Sequence, residues 1–248
     1  SATPSEFSGN PNRPVEYVSY NDITKFLSRL NNQEKENITP GWKYILPTEA
    51  QWEYACRAGT TTPYSWGSLI STEDANYNES GFLETRDVGK YAPNAWGFYD
   101  MHGNVLEWTS DVRVAYTPAD RIDPTTPNGS DQAYRGGAFT GSATSLRSAT
   151  RFGSSASRRI NFIGFRLAFK QITEPPTDLN SITELTISEN QPAGTIVGEF
   201  NATDPEGGAI TYHFVSGENN NSLFTLDTNG TLKTATTFDY ETNASSYT

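Results

Sequence analysis

Two adjacent prolines, Pro175 and Pro176, divide this chain into two parts of different charge. Proline has no backbone N–H, so neither a helix nor the middle of a sheet continues through such a pair. Residues 1–172 carry 17 basic and 18 acidic side chains, and residues 173–248 carry one basic and eleven acidic ones. These balances of −1 and −10 add up to the net charge of −11. We therefore predict two domains, over 1–172 and 178–248.

Cysteine and histidine are too scarce for several common kinds of site. Cys56 is the single cysteine, which excludes an internal disulfide and a CxxC zinc site. His102 and His213 are the two histidines, so a three-histidine metal centre is excluded within this chain. The acidic second part argues against nucleic acid as a partner and favours cation binding. No run approaches the roughly 18 apolar residues of a membrane span, and no signal peptide is recognisable at Ser1.

The first part predicts two short helices. In VSYNDITKFLSRLNNQ, residues 18–33, apolar residues recur at helical spacing, and Ser19 or Asn21 is a suitable N-cap. In LPTEAQWEYACRAG, residues 46–59, Thr48 is a suitable N-cap and a glycine ends the pattern. Short strands and long loops follow, so the pattern indicates an α+β domain with two short helices.

Strand patterns dominate the rest of the chain. IGFRLAF, residues 163–169, predicts one strand whose side chains alternate between two faces. Beyond residue 183 the alternating segments are ELTISEN, TIVGEFNATD, AITYHFVSG, FTLDT and TLKTA. Asn229 and Gly230 between the last two are a strong hairpin signal. We predict a small all-β sandwich for the second domain.

The stretch GFYDMHGNVLEWTSD, residues 97–111, fits neither a helical nor a strand period. It combines acidic side chains, aromatic rings and a Gly-Asn turn within fifteen residues. Such a segment needs something other than periodic packing to hold it in one shape.

Six blocks of the first domain together resemble one known family. They are RPVEYVSYNDITKFL, ILPTEAQWEYACRAG, PNAWGFYDMHGNVLEWTSD, YRGGAF, LRSATR and IGFRLAF. In this order they are similar to the formylglycine-generating enzyme, or sulfatase-modifying factor, family. The resemblance implies an elaborated C-type-lectin-like fold over 1–172, entered partway, so that we expect the domain to be truncated at its N-terminus.

The resemblance also implies two calcium sites. The first would use the side chains of Asp100 and Glu107 and the carbonyls of Gly103 and Val105. The second would use Asn76 and the Tyr77 carbonyl with one downstream acid, for which Glu79, Glu84 and Asp87 are the candidates. The alternative is that the acids of the 97–111 stretch accept backbone hydrogen bonds in a tightly folded loop.

The family's known chemistry is oxidation of a substrate cysteine to formylglycine, at a copper(I) site held by two cysteine thiolates. Soft thiolates select copper(I). The matching stretch here, RGGAFTGSATSLRSATR at 135–151, contains no cysteine. Cys56 lies in a predicted helix, where a small buried apolar residue is expected. We therefore expect that this chain is not an enzyme, and keep an oxidase as the alternative.

The segment 138–162 resembles the variable segment of the lectin-like variable proteins of diversity-generating retroelements. We expect it to be exposed and to bind a surface glycan or a protein ligand, or to mediate self-association. The candidate ligand-binding residues are Phe139, Phe152, Arg158 and Arg159. The arginines that match the family blocks are expected to be structural instead; these are Arg135, Arg147, Arg151 and Arg166.

The acidic second domain is similar to bacterial cadherin repeats over about seventy residues, and we expect it to be truncated at its C-terminus. The resemblance implies calcium ligands at Glu189, Asp204, Glu206, Asp239 and Glu241. Ordinary solvent-exposed acids are the alternative.

These expectations combine into one functional prediction. The chain is predicted to be a calcium-stabilised, non-catalytic binding or adhesion module of a larger secreted or surface bacterial protein. The alternatives are an oxidase of the same fold and a structural spacer in a surface filament or giant surface protein.

Overall fold

The structure is a computed structural model, and it describes residues 4–116, 124–126, 129–172, 175–205, 208–215, 217 and 220–242. Its contacts divide the chain into two compact units. The first unit comprises Ser1–Asn37 and Lys43–Lys170, and the second comprises Ile38–Trp42 and Gln171–Thr248. Each unit is described by itself below.

Both predicted helices of the first unit are confirmed. Helix α1 spans Tyr20–Gln33 and helix α2 spans Glu49–Arg57. Ser19 caps α1 and Thr48 caps α2, each in a capping box in which the side chain three residues later bonds back to the cap. Such boxes satisfy backbone N–H groups that have no partner within the helix, which fixes where each helix begins.

The strands of the first unit form two sheets. Strands β1 (Trp42–Ile45) and β6 (Ala168–Gln171) pair in a two-stranded sheet. The larger sheet has the order β4-β3-β2-β5, built from β2 (Leu106–Val112), β3 (Asp131–Arg135), β4 (Phe152–Ser155) and β5 (Ile163–Phe165). Strands β2 and β5 are parallel, whereas β3 is antiparallel to both of its neighbours. The first unit is therefore an α+β domain.

The segment predicted as one strand, IGFRLAF, is two strands in two different sheets. Strand β5 ends at Phe165 and β6 begins at Ala168. Arg166, between them, turns inward and hydrogen-bonds to Glu107 of β2. The prediction of a single strand was wrong because this side-chain contact interrupts the alternation.

The main core of the first unit lies where α1 packs on the central strand β2. Its buried members are Val18, Ile23, Leu46, Leu106, Trp108, Ala138 and Ile163. The Trp108 indole N–H donates to the Val18 carbonyl at 3.0 Å, so this large ring is buried without leaving its polar atom unpaired. This core supports the loop that precedes β2.

The second unit contains one four-stranded antiparallel sheet. Its order is β7-β8-β10-β9, with β7 at Thr177–Ser181, β8 at Ile196–Thr203, β9 at Phe224–Leu226 and β10 at Thr231–Thr234. The predicted hairpin at Asn229 and Gly230 is confirmed, since β9 and β10 pair across it.

Two strands predicted for the second unit are not found in its described residues. ELTISEN and AITYHFVSG are not in a ladder, and the described residues show one sheet rather than a two-sheet sandwich. Leu185 of the first segment instead packs its side chain directly over Gly198 of β8. An alternating pattern fits a segment that lies across a sheet as well as a strand within it, which explains the error.

Candidate functional site

The loop from Asp100 to Val105, which leads into β2, is held in an unusual backbone conformation. Asp100, Gly103 and Asn104 all have left-handed backbone angles, with φ of 54°, 91° and 66°. A Cβ atom on Gly103 would lie 2.4 Å from the Asn76 carbonyl oxygen, so glycine is required there by both conformation and space. The chain thus folds into a tight curl.

The side chain of Asn104 locks this curl to the 76–86 segment. Its Oδ1 accepts the Arg86 backbone N–H at 2.9 Å, and its Nδ2 donates to the Arg86 carbonyl at 3.1 Å. Its backbone N–H donates to the Asn76 carbonyl at 2.8 Å. These long-range hydrogen bonds hold the aperiodic stretch 97–111 in one shape.

Several oxygen atoms of the curl are suitable ligands for a cation. Gly103 and Val105 are buried, and neither carbonyl accepts a hydrogen bond from any residue that the structure describes. Buried carbonyls are nearly always paired, so a missing partner is expected at this position. Asp100 accepts the Gly89 N–H at 2.7 Å through Oδ2, and burial raises the pKa of its carboxyl group. These groups fit calcium.

Glu107, the remaining predicted ligand of this site, already has strong partners. The Trp52 indole N–H donates to Oε2 at 2.6 Å, and the Arg166 guanidinium bonds to both carboxylate oxygens. A carboxylate accepts about four hydrogen bonds, so an ion would share Glu107 with Arg166 rather than hold it alone. The sequence did not indicate this pairing.

The second predicted calcium set is less complete. Asn76 is buried, and its Oδ1 has no partner in the described residues. The Tyr77 carbonyl, however, accepts the Ser80 N–H at 2.9 Å. Of the three candidate acids, Glu84 pairs with Arg13, Asp87 bonds to Asn10 and pairs with Lys90, and Glu79 is exposed. The amide oxygen fits a cation, but the Tyr77 carbonyl, Glu84 and Asp87 already have partners.

Cys56 does not fit a copper site of the cysteine-pair kind. Its side chain is fully buried, and its Sγ lies 3.5 Å from Nε2 of His102. Burial raises the pKa of the thiol to about 12, so the thiolate that binds metals is strongly disfavoured. Leu146, in the segment where the resemblance places the cysteine pair, is also fully buried. The residues present do not supply two thiolates.

The predicted ligand-binding segment 138–162 is only partly exposed, which corrects the expectation of an open loop. Phe139 is 2% exposed and packs edge-on against Phe7 with ring centroids 5.5 Å apart. Phe152 is half-buried in β4 and stacks on Tyr134. Both rings serve packing, because most of their surface is already covered.

The two predicted binding arginines differ from each other. Arg159 forms two hydrogen bonds of 2.7 Å to the carboxylate of Asp22, in the capping box of α1. Arg158 is exposed, and its side chain makes no ion pair within the described part of the chain. Arg158 therefore stays available to a ligand, whereas Arg159 already has a structural partner.

A buried ion-pair network joins α2 to β3 and to Arg151, the residue before β4. Arg135 is fully buried and pairs with Glu49 and Glu53, which lie four residues apart on α2. Arg151 binds Glu49 through two nitrogens. The prediction that Arg135, Arg151 and Arg166 are structural is confirmed. The acid partners were missed, although two acids at helical spacing were a usable signal.

In the second unit, three of the predicted calcium ligands come together. Carboxylate oxygens of Glu189, Asp239 and Glu241 all lie within 4.8 Å of one another. Asp204 accepts the Gly208 N–H at 2.8 Å and is not part of this group. Glu206 lies outside the described residues.

Two family models match different parts of this chain. The family model of the sulfatase-modifying factor enzyme 1-like domain matches residues 1–171. The chain belongs to this family. A cadherin domain model matches residues 183–248 of the chain, beyond the sulfatase-modifying factor domain.

The relatives of the sulfatase-modifying factor domain include active and inactive proteins. The formylglycine-generating enzyme of Streptomyces coelicolor is 33% identical over 152 residues, covering 54% of this chain and 45% of that enzyme. A Mus musculus protein called inactive C-alpha-formylglycine-generating enzyme 2 is 29% identical over 173 residues, covering 62% of this chain and 48% of its own. Treponema denticola variable protein 1 superposes with a TM-score of 0.61 at 28% identity, covering 68% of this chain and 77% of that one. The chain thus spans about half the length of the curated relatives.

These relatives overturn the prediction that the chain is not an enzyme. Formylglycine-generating enzymes are about a third identical to it over half of its length, which places it in an enzyme family. The cysteine pair is missing from 135–151, but a difference at one site does not remove a chain from an enzyme family. The α+β fold and the family assignment are confirmed by the same comparisons. No helix in the described residues is long and apolar enough to cross a membrane.

Proposed function

We propose that this chain is a calcium-stabilised recognition module of a secreted or cell-surface bacterial protein. Its sulfatase-modifying factor domain, with a C-type-lectin-like fold, would bind a glycan or protein ligand, and its cadherin-matching unit would hold calcium. The observation that carries the proposal is the cluster of Glu189, Asp239 and Glu241, in a segment that matches a cadherin domain.

Calcium fits this cluster on chemical grounds. Calcium takes six to eight oxygen ligands, with carboxylates foremost, and water completes the shell. Three carboxylates this close repel one another unless a cation lies between them. The second part of the chain has one basic residue, Lys233, and this lysine pairs with Asp227 instead. This lysine is therefore engaged elsewhere in the unit, and a bound calcium ion would supply counter-charge to the cluster.

The first unit would hold a second calcium ion in the curl before β2. Asp100, Glu107 and the carbonyls of Gly103 and Val105 supply four oxygens. The support is that both buried carbonyls lack a described partner. Asn76 supplies a further buried and unpaired oxygen on the neighbouring segment.

Ligand binding by the first unit is supported by its likeness to Treponema denticola variable protein 1 and by exposed side chains such as Arg158. The cadherin match supports a location outside the cell.

The test is thermal unfolding of the full chain with calcium and with a chelator. A cation that binds the folded state raises its stability by mass action, so chelation should lower the melting temperature. The triple variant Glu189→Gln, Asp239→Asn and Glu241→Gln should lose part of this response. The matched control is Glu184→Gln, which removes an exposed acid of the same unit outside the cluster. Equal responses in all proteins would refute the site.

Formylglycine generation is the second candidate function, favoured by the identity with the Streptomyces coelicolor enzyme. Incubation with oxygen, copper and a cysteine-bearing peptide tests it by mass spectrometry. Conversion that exceeds a chain-free control would establish the activity. Because Cys56 is the chain's single cysteine and is buried, the Cys56→Ala variant would then show whether its thiol takes part.

A further inference from the structure

Five exposed aromatic side chains lie in or beside the loop at residues 94–99 of the first unit. They are between 41% and 69% exposed, and we call them the aromatic face: Tyr54, Trp66, Trp96, Phe98 and Tyr99. The rings of Tyr54 and Trp96 touch edge-on at 4.8 Å between centroids. Rings of this size are normally buried, and exposed groups of them mark interaction surfaces.

The backbone that carries this face is rigid. The Asn94 amide donates to the carbonyls of Ala55 and Cys56 at the end of α2, at 2.7 and 3.2 Å. Its Oδ1 accepts the N–H groups of Trp96 and Phe98, both at 3.1 Å. One side chain thus fixes the aromatic loop to a helix end, so a ligand would meet preorganised rings with little loss of conformational entropy.

A cavity opens within this face. It measures about 240 Å³ including its solvent-open mouth, and the rings that line it belong to Trp66, Tyr91, Phe98 and His102. Two carboxylates, those of Asp74 and Asp100, line it as well, and among the described residues that line it none is Lys or Arg.

Each of these carboxylates is held in place by hydrogen bonds to one of its two oxygens. Asp74 accepts the Ser71 N–H and hydroxyl, each at 2.7 Å, through Oδ2. Asp100 accepts the Gly89 N–H through its own Oδ2. In each case no hydrogen bond to Oδ1 comes from a residue in the described ranges, so this oxygen is left for a ligand.

We propose that this cavity binds the ammonium group of a lysine side chain on a partner protein. Aromatic faces and carboxylates together attract a cation, and an exposed ring surface would hold the neighbouring residues of the partner. The cavity has room for a group about the size of one water molecule. A compact ammonium fits this space, whereas the broad planar guanidinium of arginine does not.

The inference rests on the proposal that this domain is a recognition module, but its test is separate. Calcium binding is read from melting curves, and lysine binding is read from the tryptophan indole signals in NMR. Because Asp100 serves both the cavity and the predicted calcium site, we expect calcium to weaken lysine binding. Both titrations are therefore run with calcium and with a chelator.

The experiment titrates the full chain with capped glycine peptides that carry one central lysine, arginine or glutamine. The lysine peptide should shift the indole signals of Trp66 and Trp96 more than those of the buried Trp52 and Trp108, and should bind more tightly than the other two peptides. Asp74→Asn keeps an oxygen for Ser71 but removes the charge, and should weaken lysine binding at least about fivefold. Glu36→Gln, an exposed acid that does not line the cavity, should leave it unchanged.

Three outcomes would overturn the proposal. The glutamine peptide could bind as well as the lysine peptide, which would show that charge is irrelevant. Methyl glucoside could shift Trp66 and Trp96 while the lysine peptide does not, which would make the face a glycan site. Equal binding by Asp74→Asn and Glu36→Gln, with folding verified by their melting curves, would exclude the cavity.

Discussion

The carboxylates of the two units have different neighbours. In the first unit, Glu49 and Glu107 each meet an arginine of the same chain in a buried setting. In the second unit, Glu189, Asp239 and Glu241 meet one another. The same residue type thus meets an arginine in one unit and other carboxylates in the other, where the proposed calcium ion would supply counter-charge.

This difference accounts for the uneven charge of the sequence. A buried carboxylate is tolerated when a cation and hydrogen bonds offset its desolvation, and the first unit supplies these with arginine. The second unit keeps its acids near the surface, where solvent and dissolved ions screen their charge. Acid content alone therefore does not locate a calcium site, since the partners of each acid decide its role.

The largest effect is expected from removing the buried arginine of the first unit. Arg135→Met leaves Glu49 and Glu53 without their shared partner and should lower the free energy of unfolding by about 3–5 kcal/mol. Urea unfolding measures this. Arg158→Met removes an exposed arginine instead and should change stability by less than about 0.5 kcal/mol. Similar losses in both variants would contradict the internal neutralisation of the first unit.

The next effect concerns the backbone of the curl. Gly103→Ala adds a Cβ 2.4 Å from the Asn76 carbonyl at a φ of 91°, and should cost about 2–4 kcal/mol of unfolding free energy. Gly81→Ala has a similar φ of 75° but open space around the new Cβ, and should cost about 1–2 kcal/mol. Chemical denaturation separates the two. If both variants lose the same amount, close packing against Asn76 is not what shapes the site.

A smaller effect of opposite sign is expected in the second unit. Without calcium, Glu241→Gln removes one of three mutually repelling charges and should raise stability by about 0.5 kcal/mol. With calcium, the same variant should be less stable than the unchanged chain, because it loses an ion ligand. Thermal melts in chelator and in calcium reveal the crossover. A loss of stability in both conditions would mean that the chain itself stabilises the Glu241 carboxylate.

The smallest effect is a pH dependence at the start of α1. The hydrogen bond from Arg159 holds the pKa of Asp22 well below its ordinary value. A carboxyl group with a lowered folded-state pKa stabilises the protein above its unfolded pKa of about 3.9, and this contribution is lost as the pH falls. Asp22→Asn should remove this acid sensitivity, shifting the melting temperature at neutral pH by at most about 1 °C. An unchanged pH profile would show that the pair contributes nothing.

Features set by neighbouring residues were predictable from the sequence. Ser19 and Thr48 start their helices through side chains that reach only three residues ahead. The Asn229-Gly230 turn likewise fixes the β9–β10 hairpin from within. The family blocks added the fold and the candidate calcium ligands.

Features set by distant contacts were not predictable. Phe139 looks like an adaptable surface ring in the sequence, yet Phe7, more than a hundred residues away, covers it. Arg166 interrupts a strand pattern because its partner Glu107 lies in another strand. The alternation of 184–190 did not reveal whether the segment joins a sheet or crosses it. Composition and periodicity indicate that a residue is buried, but not which other part of the chain covers it.

The most direct test of the account is a calcium titration followed by NMR of the backbone amides. The account predicts saturable shifts at residues 189–190 and 238–241 in the second unit and at 100–107 in the first. It predicts no comparable shifts around Glu49 and Glu53, whose counter-charge is Arg135. Shifts spread evenly over all acidic residues, or present at Glu49 and Glu53 but not at Glu189 and Asp239, would contradict it.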